Sequence, residues 1–389
     1  MKKVLASALV CACLLPVACT RQKYYQIGGF AQGVTWSIKY NATGVKMRPD
    51  AVQRGVEAIL EDVDTTLSGY NAGSQISRLN RGDTITPSAM LSGIYARACK
   101  YWQETDGALD VAGGPVFDIW GFGFKSDSLP SEDLINEALA RSGTGRLKAS
   151  FEEALLPDGR LCAADLLKDS PYEVPVGSKT GGKSRNTPRT PGKPASALQK
   201  QAVASTSSEE KPGPVLNFNA IAQGYTCDTV AAFLSGIGVK DMLVDIGEIL
   251  CLGSNPEGKP WKIGIDSPKD GSDALGASIE GIWKSPSDGS RRGIVTSGNY
   301  RKFYIKNGRK YAHTIDPRSG RPAENSLLSA TVVAPAAEAA DAYATFCMVI
   351  GLQKAREFIL SRPDIEGYLI YSEEDGSTGE WHSEGFELQ

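Results

Sequence analysis

The sequence predicts a domain that packs helices against strands, α/β or α+β, and three observations carry that prediction. Short stretches alternate apolar and polar residues, as half-buried strands do. Between them lie longer stretches whose apolar residues recur every three or four positions, as on one face of a helix. A turn signal, Asn307-Gly308, joins two strand-like runs into a hairpin. Interleaving of this kind belongs to mixed architectures and not to bundles or sandwiches.

Taken in order, "GVTWSIKY" (33–40) alternates Val34, Trp36, Ile38 and Tyr40 and reads as a strand. "PDAVQRGVEAILEDVDTTL" (49–67) spaces Val52, Val56, Ile59, Val63 and Leu67 for one helix face. A second helix runs through Leu91, Ile94, Tyr95, Ala98 and Trp102 and stops near Gly107. From about residue 163 to 213 the chain turns rich in Ser, Thr, Pro, Gly and Lys. Such a segment buries too little apolar surface to offset its ordering entropy, so it is expected to be a flexible insertion. Order resumes at "VLNFNAIAQGYTCDTVAAFLSGIG" (215–238), where Val230, Phe233 and Leu234 mark the inner side of a helix. "DMLVDIG" (241–247) is a short buried strand, "RKFYIKNGRKYAHTI" (301–315) the hairpin, "SLLSATVVA" (326–334) a strand and "EAADAYATFCMVIGL" (338–352) a mostly buried helix.

Bulk properties narrow the function. A chain of 389 residues with a formal charge of -3 has no general reason to bind nucleic acid, and 41% hydrophobic residues suffice for a sizeable core. The first residues, "MKKVLASALVCACLLPVAC", join two lysines to a short apolar run ending at Cys19. This reads as an export signal over 1–18 with Cys19 as the acylated first residue of a lipoprotein, followed by a tether over 19–29. Pro16 stands where a leucine is usual, and a secretory signal without lipid is the alternative. Cys99, Cys162, Cys227, Cys251 and Cys347 are scattered, without metal-ligand spacing, and read as free thiols.

The chemistry-bearing residues begin with "DAYAT". Asp341 and Thr345 stand four apart and therefore share a helix face, with roughly 5 to 6 Å between Cβ atoms. A carboxylate and a hydroxyl so placed suit a small hard cation such as Mg²⁺, which takes oxygen ligands and substrate phosphates. Two ordinary readings stay open: Asp341 facing the helix dipole and Thr345 bonding back to a carbonyl of its own helix. "NAIAQGY" sets a glycine at a helix start, "TSGNYRKF" brings small residues beside Arg301, and "HTIDPRSG" adds the imidazole of His313 and a guanidinium. Together these fit a phosphate ester bound through a divalent ion.

The chain resembles the ApbE family of FAD:protein FMN transferases, on motifs that keep the family's order. They are "FAQGVTWSIKY", "LSGYNAGSQISRLN", "ETDGALDVAGGPVFDIWGFG", "NFNAIAQGYTCD", "LVDIG", "NPEGKPWKIGI", "TSGNYRKFY", "HTIDPRSGRP" and "EAADAYATFCMVIG". The resemblance implies one α+β catalytic domain over 30–389, with a mixed, largely antiparallel sheet interrupted by the insertion. It implies FAD as substrate and Mg²⁺ as cofactor. FMN would pass to a Ser or Thr hydroxyl of a partner protein, such as a membrane redox subunit, with release of AMP. Carried over by motif, Mg²⁺ falls to Asp341, Thr345 and the carbonyl of Ala220. Flavin contacts fall to Tyr70, to Ala108, Leu109 and Asp110, to Asn217 and Gln223, and to Ile315. His313 becomes the candidate to touch the diphosphate or relay a proton, with Asp341 as its catalytic companion. Asn217 stands where the family commonly has aspartate and Gln223 where it often has lysine or glutamate, and "VDIGEIL" lacks one glycine of "VDIGGEI". Hydrolysis of FAD to FMN and AMP, or flavin binding without turnover, are the alternatives. The expected location is the periplasmic side of a membrane, held by the lipid.

Overall fold

The strands are laid down so that the helix of the "DAYAT" motif lies against the middle of one long sheet. A computed structural model describes residues 23–120, 129–168, 213–267, 279–299, 303–306, 309–312 and 314–388. In chain order the elements are β1 (Tyr24–Ala31), β2 (Val34–Asn41), α1 (Pro49–Leu67), α2 (Gln75–Asn80), α3 (Ala89–Glu104), α4 (Gly114–Ile119) and α5 (Glu132–Arg141). After the expected insertion come α6 (Ala222–Gly236), β3 (Met242–Asp245), β4 (Ile249–Leu252), β5 (Lys262–Asp266), β6 (Ile279–Lys284) and β7 (Arg292–Gly298). The chain closes with β8 (Phe303–Lys306), β9 (Arg309–Ala312), β10 (Ile315–Asp316), β11 (Arg321–Pro322), β12 (Leu327–Ala334), α7 (Ala337–Ile350), α8 (Leu352–Leu360), β13 (Glu366–Ser372) and β14 (Thr378–His382).

The main sheet runs β1-β2-β3-β4-β7-β12-β13-β14. Every pairing in it is antiparallel, so the expected mixture with parallel strands does not occur among the described residues. Short pairs β5-β6, β8-β9 and β10-β11 stand outside it. In β2 the alternation works as read: Trp36, Ile38 and Tyr40 are buried. In α1 the inner face turns slightly, so that Leu60 is fully buried and Ile59 only half-buried. α3 ends where Asp106 and Gly107 both take positive φ (49° and 74°), which breaks the helical hydrogen-bond ladder at the expected place. The expected hairpin is present as β8 and β9, with Lys306 opposite Arg309.

The insertion starts later than composition indicated. Residues 163–168 are described, and the 3-10 turn Ala163–Leu166 sends Ala163 and Leu166 into the core. Leu161 bridges to Ile85 and Leu167 to Leu147, which ties this segment to the helices. The rest of the expected insertion, 169–212, lies outside the described residues. α7 is buried almost all round, between β7 and β12 on one side and α6 on the other. A helix so enclosed is held by packing more than by propensity, and any polar side chain it carries needs a reason.

Candidate functional site

Three polar or charged side chains on α7 meet that description: Glu338, Asp341 and Thr345. Their surroundings are set by the contact with α6. Gly224 lets the two helices touch, since a Cβ there would come within 2.4 Å of the Ala337 carbonyl oxygen. Gly293 of β7 does the same from the sheet side, where a Cβ would meet the Ala337 Cα at 2.3 Å. Only glycines at both positions allow the start of α7 to sink this deep.

Three hydrogen bonds, two in one direction and one in the other, then lock the helices. Asp228, on α6, accepts the N–H groups of Ala337 (3.0 Å) and Glu338 (2.9 Å), and so caps α7 from outside its own chain segment. In return the N–H of Gly224 donates to Asp341 Oδ2 at 3.1 Å. Asp341 is only 5% exposed, and no described residue donates to its other oxygen. Burial pushes its carboxyl well above the ordinary range, the Gly224 amide pulls the other way, and the neighbouring Glu338 charge adds to the rise.

The bond to Asp341 has a second consequence. In a continuing helix the Gly224 amide would serve the carbonyl four residues back, at Ala220. Here it is taken, and no described residue donates to the Ala220 carbonyl. Thr345, one turn beyond Asp341, is half-buried, and its hydroxyl meets the Ser297 hydroxyl of β7 at 3.3 Å. A buried carboxylate with an oxygen to spare, a hydroxyl and an unclaimed carbonyl form a hard oxygen donor set. The donors fit Mg²⁺, which completes its shell with water and phosphate oxygens. Among the described residues no group of three or more His, Cys, Asp or Glu is arranged to hold a metal. A cation here would therefore rest on one carboxylate, the hydroxyl, the carbonyl and water, with substrate oxygens able to replace the water.

Behind Asp341 lies a charged pair. Arg97 of α3 reaches Glu338 at 2.8 Å and stacks over the Tyr225 ring of α6, 4.9 Å from its centroid. Burial raises the Glu338 carboxyl to about 7 even so, Arg97 opposing and the Asp228 charge reinforcing. The desolvation of a carboxylate that is 5% exposed outweighs the attraction of a guanidinium that is itself partly in water. Asp228 is likewise raised by burial, against its two amide bonds and Arg291.

The residues assigned to the flavin fall into two kinds. Several are committed inside the fold. Asp110 accepts from the amides of Ala112 (2.8 Å) and Thr144 (3.0 Å) and from the Thr144 hydroxyl (2.6 Å). Its side chain is a staple between loops, with the three bonds converging on Oδ1 and the Thr144 amide also reaching Oδ2 at 3.1 Å. Ala108 and Leu109 are buried in the main core, and Ile315 in a smaller cluster with Val116, Trp120, Ile135 and Ala138. Asn217 accepts from the Asn219 amide (2.9 Å), while its own N–H donates to Val111 (2.7 Å), which brings it beside the 108–111 stretch. Tyr70 is the opposite kind: 69% exposed, it is no core residue. Gln223 is half-buried at the start of α6, its amide 3.4 Å from the Ile246 carbonyl. Beneath it the β3–β4 turn closes with one glycine, Gly247, at φ +90°, with the Asp245 carboxylate accepting from its N–H at 3.2 Å. That geometry accommodates the missing glycine.

His313, Arg301 and Cys19 lie outside the described residues. The guanidinium of "HTIDPRSG", Arg318, forms a two-pronged pair with Asp316 (2.9 and 2.8 Å), which engages it within its own turn. Sequence reading took Gly224 only as a helix-start glycine and Ser297 only as one small residue of "TSGNYRKF", and missed Asp228 and the Arg97–Glu338 pair as parts of the site. Gly224 and Asp228 sit four apart in "AQGYTCD", a spacing that places both on one helix face. No local pattern announces Arg97, which lies 241 residues from its partner.

Comparison with known proteins follows the same elements. Residues 32–170 and 176–369 match the ApbE family, so the match resumes inside the stretch expected to be an insertion. The chain is 28% identical to the FAD:protein FMN transferase of Haemophilus influenzae over 386 residues, 97% of this chain and 95% of that protein. It is 28% identical to the Escherichia coli K12 protein of the same description, over 92% of this chain and 87% of that one. Among solved structures, the flavin transferase ApbE from Vibrio cholerae superposes with a TM-score of 0.68 at 25% identity, covering 93% of this chain and 98% of that one. The apo flavinyl transferase ApbE of Pseudomonas stutzeri gives 0.69 at 27%, over 93% and 95%. With the match spanning β2 to α8 and every element that builds the α6–α7 junction, this chain is a member of the ApbE family.

Proposed function

We propose that the protein transfers the FMN moiety of FAD to a Ser or Thr hydroxyl of a partner protein, releasing AMP, with Mg²⁺ at the α6–α7 junction. The observation that carries this reading is the buried Asp341, held by the Gly224 amide that leaves the Ala220 carbonyl unclaimed, with half-buried Thr345 one turn on, in a chain of this family. The reaction forms one bond, acceptor oxygen to the FMN-side phosphorus, and breaks one, from that phosphorus to the bridging oxygen that leaves with AMP. A bound magnesium ion supplies charge neutralisation on the diphosphate oxygens.

The chain's own residues do the rest. Asp341 sits in a site too dry to solvate its charge, so a cation there would favour the ionised form that burial disfavours. The Gly224 amide fixes the orientation of that carboxylate. Asn217 and the 108–110 backbone lie side by side as a platform for the nucleotide. Exposed Tyr70 offers a ring face of the size a flavin stacks on. His313 is our candidate for the acceptor proton on sequence grounds. We further propose that lipid on Cys19 holds the domain on the periplasmic face of a membrane. No helix among the described residues is long and apolar enough to cross one.

The test is incubation of the full chain with FAD, Mg²⁺ and a candidate acceptor, followed by intact mass of the acceptor. A gain of one FMN is the expected result. Free FMN and AMP with unmodified acceptor identify hydrolysis instead, and unchanged FAD leaves binding alone. Replacement of Cys19 by serine is expected to release the protein from the membrane fraction; unchanged partition contradicts the anchor.

A further inference from the structure

Thr345 behaves unlike three of the four other threonines on the described α-helices, the fourth being Thr66, whose buried hydroxyl has no partner among the described residues. Thr65 donates its hydroxyl to the Glu61 carbonyl (2.9 Å), Thr226 to Ala222 (2.7 Å) and Thr229 to Tyr225 (2.9 Å). Thr105, at the end of α3, does the same to Tyr101 (2.7 Å). Each turns back to the carbonyl four residues earlier, which is the ordinary way for a helical threonine to satisfy its O–H. For Thr345 that carbonyl belongs to Asp341, yet its hydroxyl instead meets the Ser297 hydroxyl on β7 at 3.3 Å, a contact in which either oxygen can be the donor.

The difference matters for a ligand. A hydroxyl that offers a lone pair to a cation must send its proton elsewhere, and the acceptor fixes which way the lone pairs point. Were the proton sent to the Asp341 carbonyl, the oxygen would be turned along the helix axis. Sent to Ser297, it lies toward the sheet, and the lone pairs are free for the α6 side. Ser297 is held for this by the strand: β7 pairs with β12 through Ser297 opposite Ala330, and the next residue, Thr296, bonds to the Thr331 hydroxyl at 2.8 Å. Since neighbours alternate faces, Thr296 points away from α7 while Ser297 points toward it.

We propose that Ser297 is a positioning residue that accepts the Thr345 hydroxyl proton and so presents the Thr345 oxygen to the divalent cation. This role rests on the cation reading given above, and the test separates the two. The full chain, without flavin, is titrated with Mg²⁺ and its unfolding midpoint followed, since a ligand of the folded state raises it. Four proteins are compared: the parent, Ser297→Ala, Thr345→Val and the double variant, with Thr296→Ala as a control for loss of a hydroxyl on the same strand.

The expected result is a half-saturating Mg²⁺ concentration raised about 10-fold in Ser297→Ala, the lower end for loss of an outer partner of a metal ligand. Thr345→Val is expected to weaken binding at least as much, the double variant no further than Thr345→Val, and Thr296→Ala not at all. A cycle of this form isolates action through Thr345 from a general loss of stability. Saturable stabilisation of the parent with an unchanged Ser297→Ala overturns the role of Ser297 alone, as does a double variant whose losses multiply. A parent that Mg²⁺ does not stabilise overturns the cation reading, and this role with it.

Discussion

The α6–α7 junction and the loops around Asp110 both carry buried or half-buried carboxylates, and they use them in opposite ways. Asp110 is saturated: two amides and a hydroxyl share its oxygens, at distances down to 2.6 Å. Asp341 has one amide at 3.1 Å and an oxygen that no described residue serves. A saturated carboxylate holds loops together and keeps its charge at little cost, whereas an unsaturated buried one weakens the fold until something cationic arrives. The contrast separates scaffold from site without reference to the sequence family.

The comparison breaks or sharpens under substitution. The largest effect is expected from Asp341→Asn, which keeps shape and removes the charge. Turnover should fall about 10³-fold, since several kcal/mol of phosphoryl charge stabilisation go with the cation. Because burial already penalises the ionised form, the Mg²⁺-free protein should unfold at the same temperature as the parent or higher. Loss of both activity and stability would place Asp341 with the scaffold.

Next in size is Gly224→Ala. A methyl group 2.4 Å from the Ala337 carbonyl must push the helices apart, at about 1–3 kcal/mol, and draw the Gly224 amide off Asp341. Denaturant unfolding and Mg²⁺ titration should show both losses together. Asp228→Ala comes third: it uncaps α7, costing about 1–2 kcal/mol, and loosens Asp341 from outside. Unaltered Mg²⁺ dependence in that variant would confine the cap to stability. Asp110→Asn should cost about 1–3 kcal/mol, because an amide cannot accept at both positions, and leave the Mg²⁺ requirement untouched.

The smallest effect concerns pH. Glu338 has its carboxyl raised from 4.5 to about 7, so the folded state holds a proton that the unfolded chain has released over that interval. Its stabilising share is therefore present below about pH 4.5 and is lost as pH rises toward 7. Thermal unfolding of Glu338→Gln should vary less between pH 5 and 7 than that of the parent. A steeper dependence would contradict the assignment.

How far the sequence foretold this arrangement depends on the distance over which each feature is encoded. The α1 and α3 helices, the β2 strand and the β8–β9 hairpin are written locally, in periodicity and turn residues, and were legible. So was the Asp341–Thr345 spacing. Whether Thr345 would bond back to its own helix was open from sequence, because the deciding partner, Ser297, comes from a strand 48 residues away. Arg97, Gly224 and Asp228 join the site only through helix packing, which no window of sequence displays. Asp110 and Ile315 were read as flavin contacts by motif alone, and no local pattern tells that the Asp110 carboxylate also holds Ala112 and Thr144 or that Ile315 joins a small buried cluster. The start of the insertion was misplaced because Ala163 and Leu166 are too few to shift a compositional average, yet both are buried.

Crystals of the full chain soaked with FAD and Mn²⁺, the latter standing in for Mg²⁺, would test the central claim most directly through the anomalous signal of manganese. The account predicts one peak bound by an Asp341 oxygen, the Thr345 hydroxyl and the Ala220 carbonyl, with diphosphate oxygens completing its shell. A manganese peak elsewhere on the ordered dinucleotide, with Asp341 still bonded to Gly224 alone, would contradict it.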